Sequence, residues 1–98
     1  MGKDRLYLPE NLDRSTVEKV AAALLERRGH VVELDAGRVK IAGALGLQLL
    51  ISTVAQWRKD SVSFSVVNPS DALIDAHHML GISTLETGVQ GSSVEELA

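Results

Sequence analysis

A chain of 98 residues is long enough for one domain and too short for two, and with a single Trp, Tyr and Phe its core must come from Leu, Val, Ile and Ala. The absence of cysteine excludes disulfides, thiolate metal sites and thiol nucleophiles, and it fits a reducing, cytoplasmic setting. A net charge of −3 with both signs interspersed offers no basic patch for phosphate contacts, which excludes nucleic acid as the expected partner.

Arg5-Leu6-Tyr7-Leu8 is a short β-prone run stopped by Pro9, which predicts a strand followed by a turn. Ser15-Thr16-Val17-Glu18 has capping-box spacing, and Val17, Val20, Ala21 and Leu24 then recur on one helical side until Gly29 supplies a stop. His30 to Leu34 is β-branched and ends in Asp35-Ala36-Gly37, a second strand and turn, with Val39-Lys40-Ile41 as a further extended piece. From Ala44 the apolar period becomes helical. Leu47, Leu50, Ile51, Val54 and Trp57 form a stripe, and Gln48, Ser52 and Gln56 line another side. Ser61 to Val67 alternates as a strand does, Asn68-Pro69-Ser70 turns the chain, and Ser70 caps a last helix that Gly81 ends.

Strands alternating with helices predict an α/β single domain in βαβαβα order, with helices packed on a parallel or mixed β-sheet. The domain is expected over residues 1–86. Residues 87–98 are expected as a tail, loosened by Gly88 and Gly91-Ser92, in which Ser93 to Ala98 has the makings of one capped helical turn. The most apolar stretch, Ile41 to Ala55, would reach roughly 22 Å as a helix, short of a ~30 Å hydrocarbon core, so it reads as a buried helix and not a membrane span. The first five residues lead into too few apolar ones for a signal peptide.

No constellation of catalytic type is present, which predicts neither enzyme activity nor a cofactor. The neighbours His77 and His78 would point about 100° apart on a helix, whereas a helical zinc pair needs i, i+4 spacing and further ligands. Both read as structural or solvated histidines, and no metal is expected. Gly43-Ala44-Leu45-Gly46 precedes a helix but lacks the Lys-Ser/Thr end of a phosphate loop and the three-glycine dinucleotide fingerprint. Glu95-Glu96 reads as a solvated turn. The junction from Val39 to Gly46 admits two readings. Its small residues let another surface approach the backbone of the helix start, or they serve the packing of that helix on its own sheet.

The order of elements and the wording of several segments resemble the STAS domain, the module of bacterial anti-sigma-factor antagonists and sulfate-transporter tails. Leu12-Asp13, Val32-Glu33-Leu34-Asp35-Ala36, Ser65-Val66-Val67-Asn68-Pro69-Ser70 and Leu80-Gly81-Ile82 carry the likeness over roughly residues 5–82. In phosphorylated members the helix entry carries an acidic residue and a kinase-modified serine. Here the register reads Ile41-Ala42-Gly43-Ala44-Leu45-Gly46, so neither Ala42 nor Gly43 offers an oxygen for phosphorylation.

Gly43-Ala44-Leu45, Gln48-Leu49-Leu50 and Trp57 are similar to short STAS proteins of chemotaxis gene clusters. The resemblance implies a cytoplasmic adaptor whose partner is a sensory histidine kinase, an anti-sigma-type kinase or a chemotaxis component. Regulation of an ABC-type lipid transporter through its ATPase, and small-ligand sensing at the same helix start, are the alternatives it implies. The expected partner interface comprises Asp13, Lys40, Ile41, Ala42, Gly43, Ala44, Gln48 and Ser52. Ser52 and Thr53 are read as ordinary helix-surface hydroxyls, with modification there a residual alternative.

Overall fold

The computed structural model describes residues 4–89. In chain order the elements are β1 (Asp4–Tyr7), α1 (Arg14–Leu25), β2 (Val32–Asp35), α2 (Ala44–Lys59), β3 (Phe64–Val67), α3 (Asp71–Leu80) and α4 (Thr84–Thr87). The strands form one sheet in the order β1-β2-β3, parallel throughout, with Leu6, Leu34 and Val66 in register across it. This is the parallel form of the two sheet types the element order allows.

Because side chains alternate along a strand, that register separates the residues into two rows. Leu6, Val32, Leu34, Phe64 and Val66 share one face, and their row joins Leu24 of α1, Leu47, Leu50 and Trp57 of α2, and Leu73 and Ala76 of α3 in one core cluster. Arg5, Tyr7, Glu33 and Asp35 occupy the other face. There Arg5 reaches Glu33 at 2.9 Å and Asp35 at 3.6 Å, and the Arg38 guanidinium lies 4.9 Å from the centre of the Tyr7 ring. The core is aliphatic, as the composition requires. Trp57 is anchored in it by an indole N–H donated to the His30 carbonyl at 2.8 Å.

Several boundaries differ from those read in the sequence, each for a local reason. The first helix is capped two residues earlier. Asp13 accepts from the Thr16 amide and the Thr16 hydroxyl accepts from the Asp13 amide, both at 3.0 Å, so Ser15 and Glu18 lie inside the helix. β2 begins at Val32, where the ladders to both neighbours start: the Val31 carbonyl accepts from the Asp4 amide and the Val32 amide donates to the Ser63 carbonyl, while the His30 carbonyl one residue earlier is taken by the Trp57 indole. β3 is limited to Phe64–Val67 because Ser61 takes a left-handed conformation at φ 58° to close the turn after α2. Gly81 ends α3 in the left-handed conformation that glycine adopts without steric cost.

The short helix α4 is absent from the sequence reading, although Ser83 and Glu86 form a capping box over it. Of the tail read from residue 87 onward, Thr87 is buried, Gly88 accepts from the Val66 amide at 2.8 Å, and Val89 bridges to Val66 beside β3. The turn proposed for Ser93 to Ala98, with Glu95-Glu96, lies outside the described residues. Among the described residues, no helix is long and apolar enough to cross a membrane.

Candidate functional site

The entry to α2 is held in place by the loop that follows β1. The Lys40 and Ile41 amides both donate to the Glu10 carbonyl, at 2.7 and 3.0 Å, and the Leu12 amide donates to the Ile41 carbonyl at 2.9 Å. Asn11 and Ile41 thereby form a parallel bridge, which is the structural form of the extended piece read at Val39-Lys40-Ile41. Thr16 tightens the same corner by donating its hydroxyl to the Asn11 carbonyl at 2.6 Å. Two segments that are remote in sequence are thus fastened through their backbones, and the side chains of Lys40 and Ile41 remain outside.

Gly43 is the N-cap of α2, in extended backbone at φ −135°, and no side chain caps the first turn. A Cβ built on it would meet nothing within 4 Å. Neither backbone conformation nor space inside the molecule therefore requires glycine at this position. Gly46, one turn in, is the opposite case, since its Cβ would come within 3.0 Å of the Leu12 Cβ. Of the two readings of the small residues, close internal packing holds for Gly46, whereas the space around Gly43 is open.

The exposed positions of α2 before Arg58 are Ala44, Leu45, Gln48, Ser52 and Ala55, and none is charged. From Ile41 to Trp57 the chain contains no Asp, Glu, Lys or Arg, whereas the exposed sides of α1 and α3 carry Arg14, Glu18, Lys19, Asp71 and Asp75. A solvent-facing helix normally presents charge, and depletion of charge marks the centre of protein interfaces. Ile41 and Leu45, four residues apart at the entry, are 62% and 45% exposed. Beside this face lies a shallow groove of about 280 Å³ between α1 and α2, lined by Leu24, Leu25, Leu49, Ser52 and Gln56 among others.

The other expected residues fall as follows. Ala44, Gln48 and Ser52 are exposed, while Ala42 packs against the core and offers only part of its surface. Lys40 is exposed and pairs with Glu10 at 3.8 Å. Asp13 is exposed but already engaged as the cap of α1, and the Thr16 amide holds its carboxyl below the usual carboxylate range. Gln56, read on the outward row, is half-buried and donates to Asp60 at 3.3 Å. Thr53 is not a surface hydroxyl. It is buried and donates to the Leu49 carbonyl at 2.8 Å, so Ser52 alone of that pair faces solvent. Leu45, Leu25 and Leu49 were not among the expected site residues. The uncharged run from Ile41 to Trp57 was the signal that could have drawn attention to the first and third.

The two histidines separate. His77 is buried with Nδ1 2.8 Å from the Leu73 carbonyl and Nε2 2.7 Å from the Thr87 hydroxyl, and His78 is exposed. Among the described residues, no group of three His, Cys, Asp or Glu side chains is placed to hold a metal ion. Asp35, the acidic end of the central strand, accepts from the Gly37 amide and from Asn68, and so joins the loops that follow β2 and β3.

A three-stranded parallel sheet carrying this helix order is consistent with an α/β single domain of STAS type. The chain matches the family model described as Mlab, STAS domain over residues 2–87, and it belongs to that family. A comparison with curated proteins gave no match. STAS domains are generally non-catalytic regulatory modules that bind protein partners.

Proposed function

We propose that this chain is a non-catalytic docking module that binds a partner protein through the entry and uncharged outer face of α2. The observation that carries the reading is the combination of an exposed, charge-free helix face with an N-cap glycine that the fold itself does not require. Ile41 and Leu45 would supply apolar contact, Gln48 and Ser52 directional hydrogen bonds, and Gly43 the close approach of backbone. Lys40 and Asp13 would border the surface. With no hydroxyl at residue 42 or 43, control lies in the state or abundance of the partner and not in a phosphate on this chain.

The partner class we favour is a bacterial signalling kinase or a component of a chemotaxis array, with the protein acting in the cytoplasm. The support for it is the wording of residues 43–57. A second reading, in which the same face meets the ATPase subunit of a lipid-transporting ABC system, draws support from the family's own description, Mlab, STAS domain. Affinity capture from the native cell with wild-type and Gly43→Arg bait tests the docking reading. Wild type should recover a protein that the variant loses while its thermal melt stays unchanged, and a kinase or receptor among the captured proteins separates the first partner class from a transporter ATPase. Recovery at wild-type level by the variant would refute the proposed surface.

A further inference from the structure

The two edges of the sheet are finished differently. At the β3 edge the Val66 amide donates to Gly88 and Val89 lies alongside. At the β1 edge the Asp4 and Leu8 amides bond inward to Val31 and Asp35, so the N–H and C=O groups of Arg5 and Tyr7 face away from the sheet. No described residue bonds to them there. Arg5, the charge that would ordinarily guard an open edge, is drawn across the sheet to Glu33 and Asp35. Next to this edge, on the helix-bearing face, runs an apolar groove of about 380 Å³ lined by Leu6, Pro9, Thr16, Lys19, Val20 and Ala23, among others.

We propose that the β1 edge is a self-association surface, on which β1 of a second copy pairs antiparallel to give a continuous six-stranded sheet. The sequence of the strand is self-complementary for this arrangement. With Leu6 opposite Leu6 of the second copy on the two-fold axis, Arg5 of each copy stands opposite Tyr7 of the other as a hydrogen-bonded pair, which yields four main-chain hydrogen bonds in all. On the polar face this sets a guanidinium against an aromatic ring from each side. On the helix face the two Leu6 side chains meet beside the groove.

Charge selects the same occupant. α1 runs back along β1, since its capped start follows the end of the strand and Arg27, just past its end, lies 4.0 Å from Asp4 at the start. An antiparallel second copy therefore carries its own Asp4 to the opposite end of the groove, where Lys19 stands with no described carboxylate partner. A parallel copy would keep each Asp4 beside Arg27. The surface uses none of the α2 residues assigned above to partner docking.

The test is sedimentation equilibrium of the full chain from micromolar to millimolar concentration, with two kinds of variant. Tyr7→Pro removes an outward N–H while leaving the inward ladder intact, and it should raise the dimer dissociation constant at least about tenfold with little change in the thermal melt. Lys19→Glu should weaken the dimer, and Lys19→Glu with Asp4→Lys should restore it, which keeps the test valid if Tyr7→Pro fails to fold. A wild type that stays monomeric throughout overturns the proposal, including the case in which a strand of another protein takes the edge. So does a folded Tyr7→Pro that associates like wild type, or a charge pair that shows no recovery.

Discussion

Gly46 sits directly on Leu12: a Cβ at Gly46 would lie 2.8 Å from the Leu12 Cδ1 and 3.0 Å from its Cβ. The Cδ1 can swing aside, but the Cβ is fixed by the backbone of the loop that also bonds to Ile41. This contact sets how far α2 stands from the β1–α1 corner. It thereby sets where the whole exposed face of α2 is presented.

Gly46→Ala should therefore destabilise the protein by about 1 kcal/mol in urea unfolding, with overpacking of about 1–3 kcal/mol only partly offset by the better helix propensity of alanine. Gly43→Ala, three residues earlier and with open space around its Cβ, should cost only about half a kcal/mol in the same experiment, the loss of a favoured N-cap residue. Equal effects from the two would mean that the close approach at Leu12 relaxes freely.

The buried pair His77 and Thr87 ties α4 to α3. The Leu73 carbonyl can only accept, so Nδ1 donates to it, and Nε2 lies 2.7 Å from the Thr87 hydroxyl, which in turn donates to the Thr84 carbonyl at 3.2 Å. Thr87→Val keeps the shape and removes that hydroxyl, which leaves a buried ring nitrogen without a partner. The expected loss is about 1–3 kcal/mol by chemical denaturation. A change no larger than that of His78→Ala at the neighbouring exposed position would show that the contact contributes nothing.

Asp13 supplies a pH-dependent contribution whose sign is fixed by linkage. Its carboxyl is held below the ordinary range by the Thr16 amide, so the charged cap stabilises the fold fully above the unfolded-state pKa of about 3.9 and loses that effect as pH falls through the lower folded value. Asp13→Ala should lower the melting temperature at neutral pH, and its difference from wild type should shrink only below about pH 4. A difference that vanishes near pH 6 would place the coupling elsewhere.

Much of this architecture was legible in the sequence because its signals are local. Ser70 with Asp71, Gly81, and the helical stripe of Leu47, Leu50, Val54 and Trp57 all stand where the residue types put them. The first cap is ambiguous in the sequence because Ser15 and Glu18 satisfy the same spacing that Asp13 and Thr16 use. What decided between them was tertiary, namely the bonds of Glu10, Asn11 and Leu12 to Thr16 and the Lys40–Ile41 loop. α4 is too short for a helical period to show, although Ser83 and Glu86 spell its cap.

The site was legible only in part. Exposure of Gln48 and Ser52 follows from their place opposite the apolar stripe, but the inward lean of Ala42 and the burial of Thr53 depend on how α2 meets its neighbours. Leu25 lines the groove beside that face because α1 and α2 lie side by side, a relation no spacing within either helix could report.

Gly43→Asp measured for stability and for partner binding together addresses the central claim most directly. Aspartate is a better N-cap than glycine and places negative charge at the positive end of the helix, so the variant should melt at a higher temperature by a few tenths to about 1 kcal/mol of added stability. The same change puts a side chain and a charge at the middle of the docking surface, so affinity for the captured partner should fall at least about tenfold. A more stable variant that binds as tightly as wild type would contradict the assignment of the α2 entry as the landing place.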